Sequence, residues 1–202
     1  MKRNLALTLV FILMISLVLT ACQKEGEGAV TPTPTKDTLT VAIKADPRSL
    51  EPHNGSNDAD STRVQNQIYE TLVVLNVDKQ MEGSLAKSWE YTDDTTLVMK
   101  IRENVKFHNG ESFDANDALF SLKNAVTGKY TSQLVDDIDF DNTKVVDSNT
   151  LQIKTNKPTG ILLAKLCSLY MYDEQTFNEV GEEGLASRPI GTGPFMFKEW
   201  YR

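Results

Sequence analysis

The first 36 residues of this chain are a leader and a tether, and what they leave over limits what the rest can build. Lys2 and Arg3 form a short basic head, and the 15 residues Leu5 to Leu19 are apolar apart from Thr8 and Ser16. That run is short for a membrane-spanning helix, which takes about 20 residues. Basic head, apolar middle and small-residue exit are the layout of an export signal. Gln23 to Lys36 is mostly Gly, Glu, Thr and Pro with no aromatic residue. Such a composition cannot bury a core and favours an extended, solvated tether. About 166 residues follow, enough for one ordinary domain or a two-part lobe.

The leader closes on Leu19-Thr20-Ala21-Cys22, a tetrapeptide that resembles a bacterial lipobox. Residues 1–21 then form a lipoprotein signal peptide, and Cys22 becomes the lipidated first residue of the mature chain. A diacylglyceryl group carries two acyl chains, and stable anchoring takes two membrane signals. Cys22 is thus an attachment point and not a nucleophile. The mature chain is expected outside the cytoplasm, on the outer face of the cytoplasmic membrane or membrane-attached in a periplasm.

Without the leader the chain holds 19 basic against 28 acidic side chains, a formal charge of −9. No basic stripe remains for nucleic acid. With Cys22 lipidated, Cys167 has no disulfide partner, and stability rests on core packing. Cys167 lies in the apolar run Ile161 to Leu169 and reads as a small buried hydrophobe.

The folded part alternates strand and helix signals. Leu39-Thr40-Val41-Ala42-Ile43 has the period of a strand. It runs into Asp46-Pro47-Arg48-Ser49-Leu50-Glu51-Pro52-His53-Asn54-Gly55, whose turn formers predict an ordered loop. Val64, Ile68, Leu72 and Leu75 recur at helical spacing, with Asp60 or Ser61 as the expected cap. Leu97, Met99 and Ile101 mark a half-buried strand, and Val105 and Phe107 lead to a tight turn at Asn109-Gly110. Asp114, with Asp117 three residues on, predicts a capped helix whose apolar face is Ala115, Ala118, Leu119, Leu122 and Val126. Val145 to Ile153 reads as a hairpin about Asp147-Ser148-Asn149. Pro158 is expected to open a helix through Leu166. Gly191-Thr192-Gly193 predicts a tight turn entering a strand over Phe195 to Trp200. Interleaved helices, short strands and hairpins predict an α/β fold with a mixed sheet.

In this order the segments resemble the extracellular solute-binding proteins of peptide, dipeptide and nickel ABC importers. The likeness runs from Leu39 to Trp200. It rests on Asp46-Pro47-Arg48-Ser49-Leu50-Glu51-Pro52-His53, Gln67-Ile68-Tyr69-Glu70-Thr71-Leu72, Leu85-Ala86-Lys87-Ser88-Trp89-Glu90, the run from Leu97 to Leu119, and Gly191-Thr192-Gly193-Pro194-Phe195. The resemblance implies a periplasmic-binding-protein-like (class II) fold, here its N-terminal lobe only. Residues 37–68 and 187–202 would belong to a central lobe and residues 69–186 to a side subdomain. The family's chains are much longer, so the second lobe and the returning chain that completes the first are expected to be missing. A clamshell binder buries its ligand between two walls, and such a part alone is expected to bind weakly or not at all.

The resemblance also implies the role. The whole protein would be a lipid-anchored, monomeric substrate-binding subunit that captures oligopeptides or dipeptides and hands them to permease subunits in the membrane, with no enzymatic step and no cofactor. Nickel chelates, sugars or signalling peptides on the same framework, or a truncated surface lipoprotein without transport, stay open as alternatives. Family members contact ligand just beyond the Leu-Glu-Pro-His segment, which points to Ser56, Asn57 and Asp58. A solvated turn is the competing reading of those three residues.

Other constellations fail on spacing. His53 and His108 lack neighbouring ligands for a metal. Asp136, Asp137, Asp139 and Asp141 lack the glycine and glutamate of a calcium loop and read as a solvated acidic loop. Gly191-Thr192-Gly193 precedes a strand and has no Gly-Lys-Ser after it, so it is no phosphate loop. No Gly-x-Ser-x-Gly elbow is present. Trp89 and Trp200 read as packing residues. The anchor gives a direct expectation: Cys22→Ala should move the exported chain from the membrane fraction to the soluble extracytoplasmic fraction, and a variant that still sediments with membranes would remove the lipid from the account.

Overall fold

The structure, a computed structural model, describes residues 38–201. The expected export signal, Cys22 and the expected tether lie outside the described residues. Residues 38–42 belong to one compact unit and residues 43–201 to a second.

The second unit is organised around a four-stranded sheet of β3 (Ala86–Asp93), β4 (Thr96–Ile101), β5 (Lys144–Asp147) and β6 (Thr150–Lys154), in the order β3-β4-β6-β5. The alternation at Leu97, Met99 and Ile101 is that of β4, and all three side chains are buried. Leu97 lies opposite Ile153, and Met99 opposite Leu151. The expected hairpin is β5–β6. A mixed sheet was expected, but every ladder among the described residues is antiparallel. For two of these ladders the reason is local: β3–β4 and β5–β6 are joined by two-residue turns, and so short a link permits only antiparallel pairing.

Two helices cover the buried face of this sheet. The first, Ala115–Asn124, begins as expected: the Asp114 carboxylate accepts from the Asn116 N–H, and Asp117 reaches back to the Asp114 N–H, a reciprocal capping box. Its face Ala115, Ala118 and Leu122 is fully buried. The second, Leu162–Leu166, inserts Leu162 and Leu166 into the same core. It starts four residues beyond Pro158, so the expectation of a proline-opened helix is corrected; Gly160 stands between, a residue with a high entropic cost in a helix. Trp89 packs half-buried against this core.

A separate, aromatic-rich core forms from Leu50, Ile68, Tyr69, Tyr170, Tyr172 and Leu185, with Phe120, Phe177 and Trp200 packed against it. Here lies the helix Ala59–Ile68. It is shorter than its apolar spacing suggested. Tyr69 is already extended, Leu72 leaves the helix, and Leu75 belongs to β1 (Val73–Leu75), which pairs with β2 (Met81–Gly83). Tertiary pairing ends the helix: Thr71 bridges to Tyr170, and the Met171 N–H bonds the Glu70 carbonyl. The cap also differs from expectation. Asp58, not Asp60 or Ser61, is the N-cap and accepts from the Asp60 and Ser61 N–H groups at 3.1 Å each. A last helix, Glu174–Ser187, is capped by Asp173 and broken at Gly181, where φ is 65°.

Two expected strands do not form. Leu39 and Val41 are 78% and 68% exposed, and residues 38–43 have no ladder partner among the described residues. Residues 195–200 form no ladder with any described residue either. An alternating segment becomes a strand only with a partner to complete its hydrogen bonds. The Gly191-Thr192-Gly193 segment crosses the end of the Ala59–Ile68 helix instead. The Gly193 and Phe195 N–H groups donate to the Ile68 and Gln67 carbonyls. A Cβ on Gly191 would meet the Ile68 oxygen at 2.1 Å, so only glycine allows this approach. His108 fastens the other side: its Nδ1 accepts from the Gly191 N–H, which leaves the proton on Nε2 to donate to the Gly193 carbonyl at 2.8 Å.

Asp117 joins the starts of two helices, because its other oxygen accepts from the Glu174 N–H. Burial, with Asp114 and Asp173 nearby, pushes its carboxyl up from 3.8 to about 6. Between those values the folded chain keeps a proton that the unfolded chain has released. Its contribution to stability is therefore full below about pH 4 and lost as pH rises through about 6. Asp117→Asn should flatten that part of a denaturation profile measured from pH 4 to 7; a profile with unchanged slope would show that Asp117 titrates normally.

Candidate functional site

The loop from Ser49 to Asp58 is built around a buried carboxylate. Glu51 is 1% exposed, yet its oxygens are fully engaged. Oε1 accepts from the His53 N–H at 2.9 Å and from the Tyr172 hydroxyl, and Oε2 accepts from the Asn54 and Gly55 N–H groups at 2.8 and 2.7 Å. Three consecutive N–H groups curled about one carboxylate make a nest that offsets desolvation of the charge. Gly55 is needed at the turn, since a Cβ there would meet the Ser49 hydroxyl at 2.1 Å.

Other elements clamp the loop from outside. Gln65, inside the Ala59–Ile68 helix, points its amide nitrogen at the Ser49, Glu51 and Ser56 carbonyls. His53 is fully buried against Tyr172, with ring centroids 4.2 Å apart. Its Nε2 donates to the Tyr170 carbonyl at 3.0 Å, and Nδ1 receives the Asn124 amide at 3.3 Å. Burial lowers its pKa from 6.5 to about 4, so the ring is neutral at ordinary pH. Asn54 bonds Glu182 and the Lys129 N–H. The loop is thus ordered as expected, and His53 orders it.

Beside this loop is a cavity of about 430 Å³. One wall is Pro52, Ser56 and Asn57, the helix Ala59–Ile68 contributes Thr62 and Asn66, and the opposite wall is Tyr130, Gln133 and Leu134 with Cys167, Ser168 and Tyr170. Of the three residues singled out in the sequence, Ser56 and Asn57 line it. The Ser56 hydroxyl is buried and donates to Asp58, whereas Asn57 is exposed. Asp58 is not among the lining residues. Its carboxylate takes hydrogen bonds from Ser56, from the Ser61 hydroxyl and from the first helical N–H groups, which hold it well below the usual carboxylate range. It holds the loop to the helix start.

Sequence reasoning missed the opposite wall. Tyr130 and Gln133 lie more than 70 residues from the loop, in and before the short helix Ser132–Val135. That wall is held by Lys165, whose ammonium sits 2.5 and 2.6 Å from Asp136 and Asp137. Two of the four acids expected in a solvated loop are therefore an ion-paired clamp. Cys167 is half-buried instead of fully buried, with Sγ 3.1 Å from the Met81 sulfur, and burial raises its thiol pKa. Among the described residues no three His, Cys, Asp or Glu side chains cluster as metal ligands, and no helix is long and apolar enough to cross a membrane.

Residues 80–202 match the family model described as bacterial extracellular solute-binding proteins, family 5 Middle. The chain is 29% identical over 217 residues to the oligopeptide-binding protein OppA of Bacillus subtilis (strain 168), covering 93% of this chain and 39% of that one. It is 30% identical over 137 residues to the nickel-binding protein NikA of Staphylococcus aureus (strain NCTC 8325 / PS 47), covering 65% of this chain and 26% of the relative. Among solved structures, OppA of Listeria monocytogenes bound to peptide superposes with a TM-score of 0.70 at 26% identity, over 77% of this chain and 35% of that one. The chain therefore spans well under half the length of these relatives.

Two buried tyrosines separate the forces in this site. Tyr172 donates to Glu51, while the Tyr69 hydroxyl has no hydrogen-bond partner among the described residues. Tyr172→Phe removes a bond to a charged group and should lower unfolding stability by about 1.5–3 kcal/mol. Tyr69→Phe should be neutral or stabilising in the same urea titration. Equal losses from both changes would mean that ring packing, not the Glu51 bond, sets the cost.

Proposed function

The chain belongs to the bacterial extracellular solute-binding proteins of family 5, and from that premise we propose that it is the solute-capturing subunit of an ABC importer, anchored outside the cell through Cys22 and specific for oligopeptides or dipeptides. It works as a monomer, with permease subunits in the membrane as partners. The observation that carries this reading is the cavity bounded by the clamped loop. The cavity has the size of a small-ligand site, and the backbone of its loop wall is held by Glu51 and Asp58 before any ligand arrives. A wall already ordered loses little conformational entropy on binding.

In this reading Ser56 and Asn57 meet the ligand, Asp58 positions them, and Tyr130 and Gln133 close the far side. Asn57 and Gln133 each offer an amide donor and acceptor, the groups that a peptide backbone pairs with. A second lobe closes over the ligand, and docking on the permease releases it. Capture and release need no bond to be made or broken. The oligopeptide-binding relative of Bacillus subtilis supports the choice of solute, as it is similar over 93% of this chain and the nickel-binding one of Staphylococcus aureus over 65%.

The test is isothermal titration calorimetry of the full chain as its gene encodes it, with short peptides as ligands. Asn57→Ala and Tyr130→Ala should each weaken binding about tenfold, the loss of roughly one buried hydrogen bond or ring contact. Unchanged dissociation constants in both variants would place the ligand elsewhere.

A further inference from the structure

The cavity is polar without being charged. None of its described lining residues is Asp, Glu, Lys or Arg. Apart from the groups of Ser56, Gln65, Thr131 and Tyr170, which are engaged within the protein, its hydrogen-bonding side chains are the amides and hydroxyls of Asn57, Thr62, Asn66, Tyr130, Gln133 and Ser168. The Asn66 carbonyl oxygen accepts from the Tyr170 hydroxyl at 2.5 Å, which fixes the amide and turns its NH₂ group into the available donor.

The charged side chains nearby stand outside the cavity lining. Asp58 is engaged by Ser56, Ser61 and the helix start. Glu51 is enclosed by its nest and Tyr172. Lys165 is shared between Asp136 and Asp137. Lys129 is exposed, with its ammonium 4.9 Å from the Tyr130 ring centroid. His53, behind the loop, is buried and neutral. An ionised ligand group placed against this wall would lose hydration and gain no counter-charge, whereas a neutral amide or hydroxyl would exchange water for an equivalent partner.

We infer that this wall receives an uncharged, hydrogen-bonding part of the ligand, a peptide amide or a neutral polar side chain, and excludes charge of either sign at that position. The inference rests on the reading of this cavity as a ligand wall. It assigns Asn66 and Gln133 as specificity determinants.

The experiment is calorimetry of the full chain with penta-alanine and with derivatives carrying Gln, Glu or Lys at each position in turn. At one position Gln should bind at least as tightly as Ala, while Glu and Lys each bind about tenfold or more weakly. Gln133→Glu should restore Lys at that position by about tenfold and leave Glu rejected. Asn66→Asp, which keeps an acceptor for Tyr170, should do the same and serves if the first variant does not fold. Peptides that bind but reject charge at no position, or a rejection that neither variant moves, would overturn the inference and leave the importer reading standing. If no peptide of the set binds, the peptide reading and this inference fall together.

Discussion

The Glu51 carboxylate is the interaction on which the rest of this structure depends. A charge removed from water is costly unless its lone pairs are filled. Here four donors fill them, three from the adjacent backbone and one from Tyr172, 121 residues further on. The backbone donors give the loop its shape. The tyrosine donor joins that loop to the aromatic core, and through Tyr170 and His53 to the segment that closes the far side of the cavity.

The candidate site follows from this arrangement. Ser56 and Asn57 stand between the Glu51 nest and the Asp58 cap, so both ends of their segment are fixed. The opposite wall is fixed independently, by Lys165 between two aspartates. Two rigid walls with unpaired amides and hydroxyls between them suit a ligand that is bound by hydrogen bonds and must later be released. The buried charges maintain the geometry and stay out of the recognition surface.

Much of the fold was legible because its signals are local. The capping box of Asp114 and Asp117, the Leu97-Met99-Ile101 alternation and the Asp147-Ser148-Asn149 turn each depend on residues within a few positions. The strands expected at Leu39 to Ile43 and at Phe195 to Trp200 were misread because alternation describes a strand's faces and not its partners. The Ala59–Ile68 helix was overextended because Leu72 keeps the helical spacing while long-range pairing at Thr71 ends the element. At the site, the family resemblance pointed to Ser56, Asn57 and Asp58, while their own residue types read equally as a solvated turn. Glu51 gave no such signal, since an acid beside proline is by default solvated, and Tyr130, Gln133 and Tyr172 reach the site only through tertiary contacts.

Hydrogen exchange at single-residue resolution on the full chain, with and without bound peptide, tests the central claim most directly. The account predicts that the amides of His53, Asn54 and Gly55 are strongly protected before any ligand is added, and that added peptide slows exchange mainly around Asn57 and Tyr130 to Gln133. Rapid exchange at residues 53–55 in the free protein would contradict it, because the wall would then be assembled by the ligand and not by the buried carboxylate.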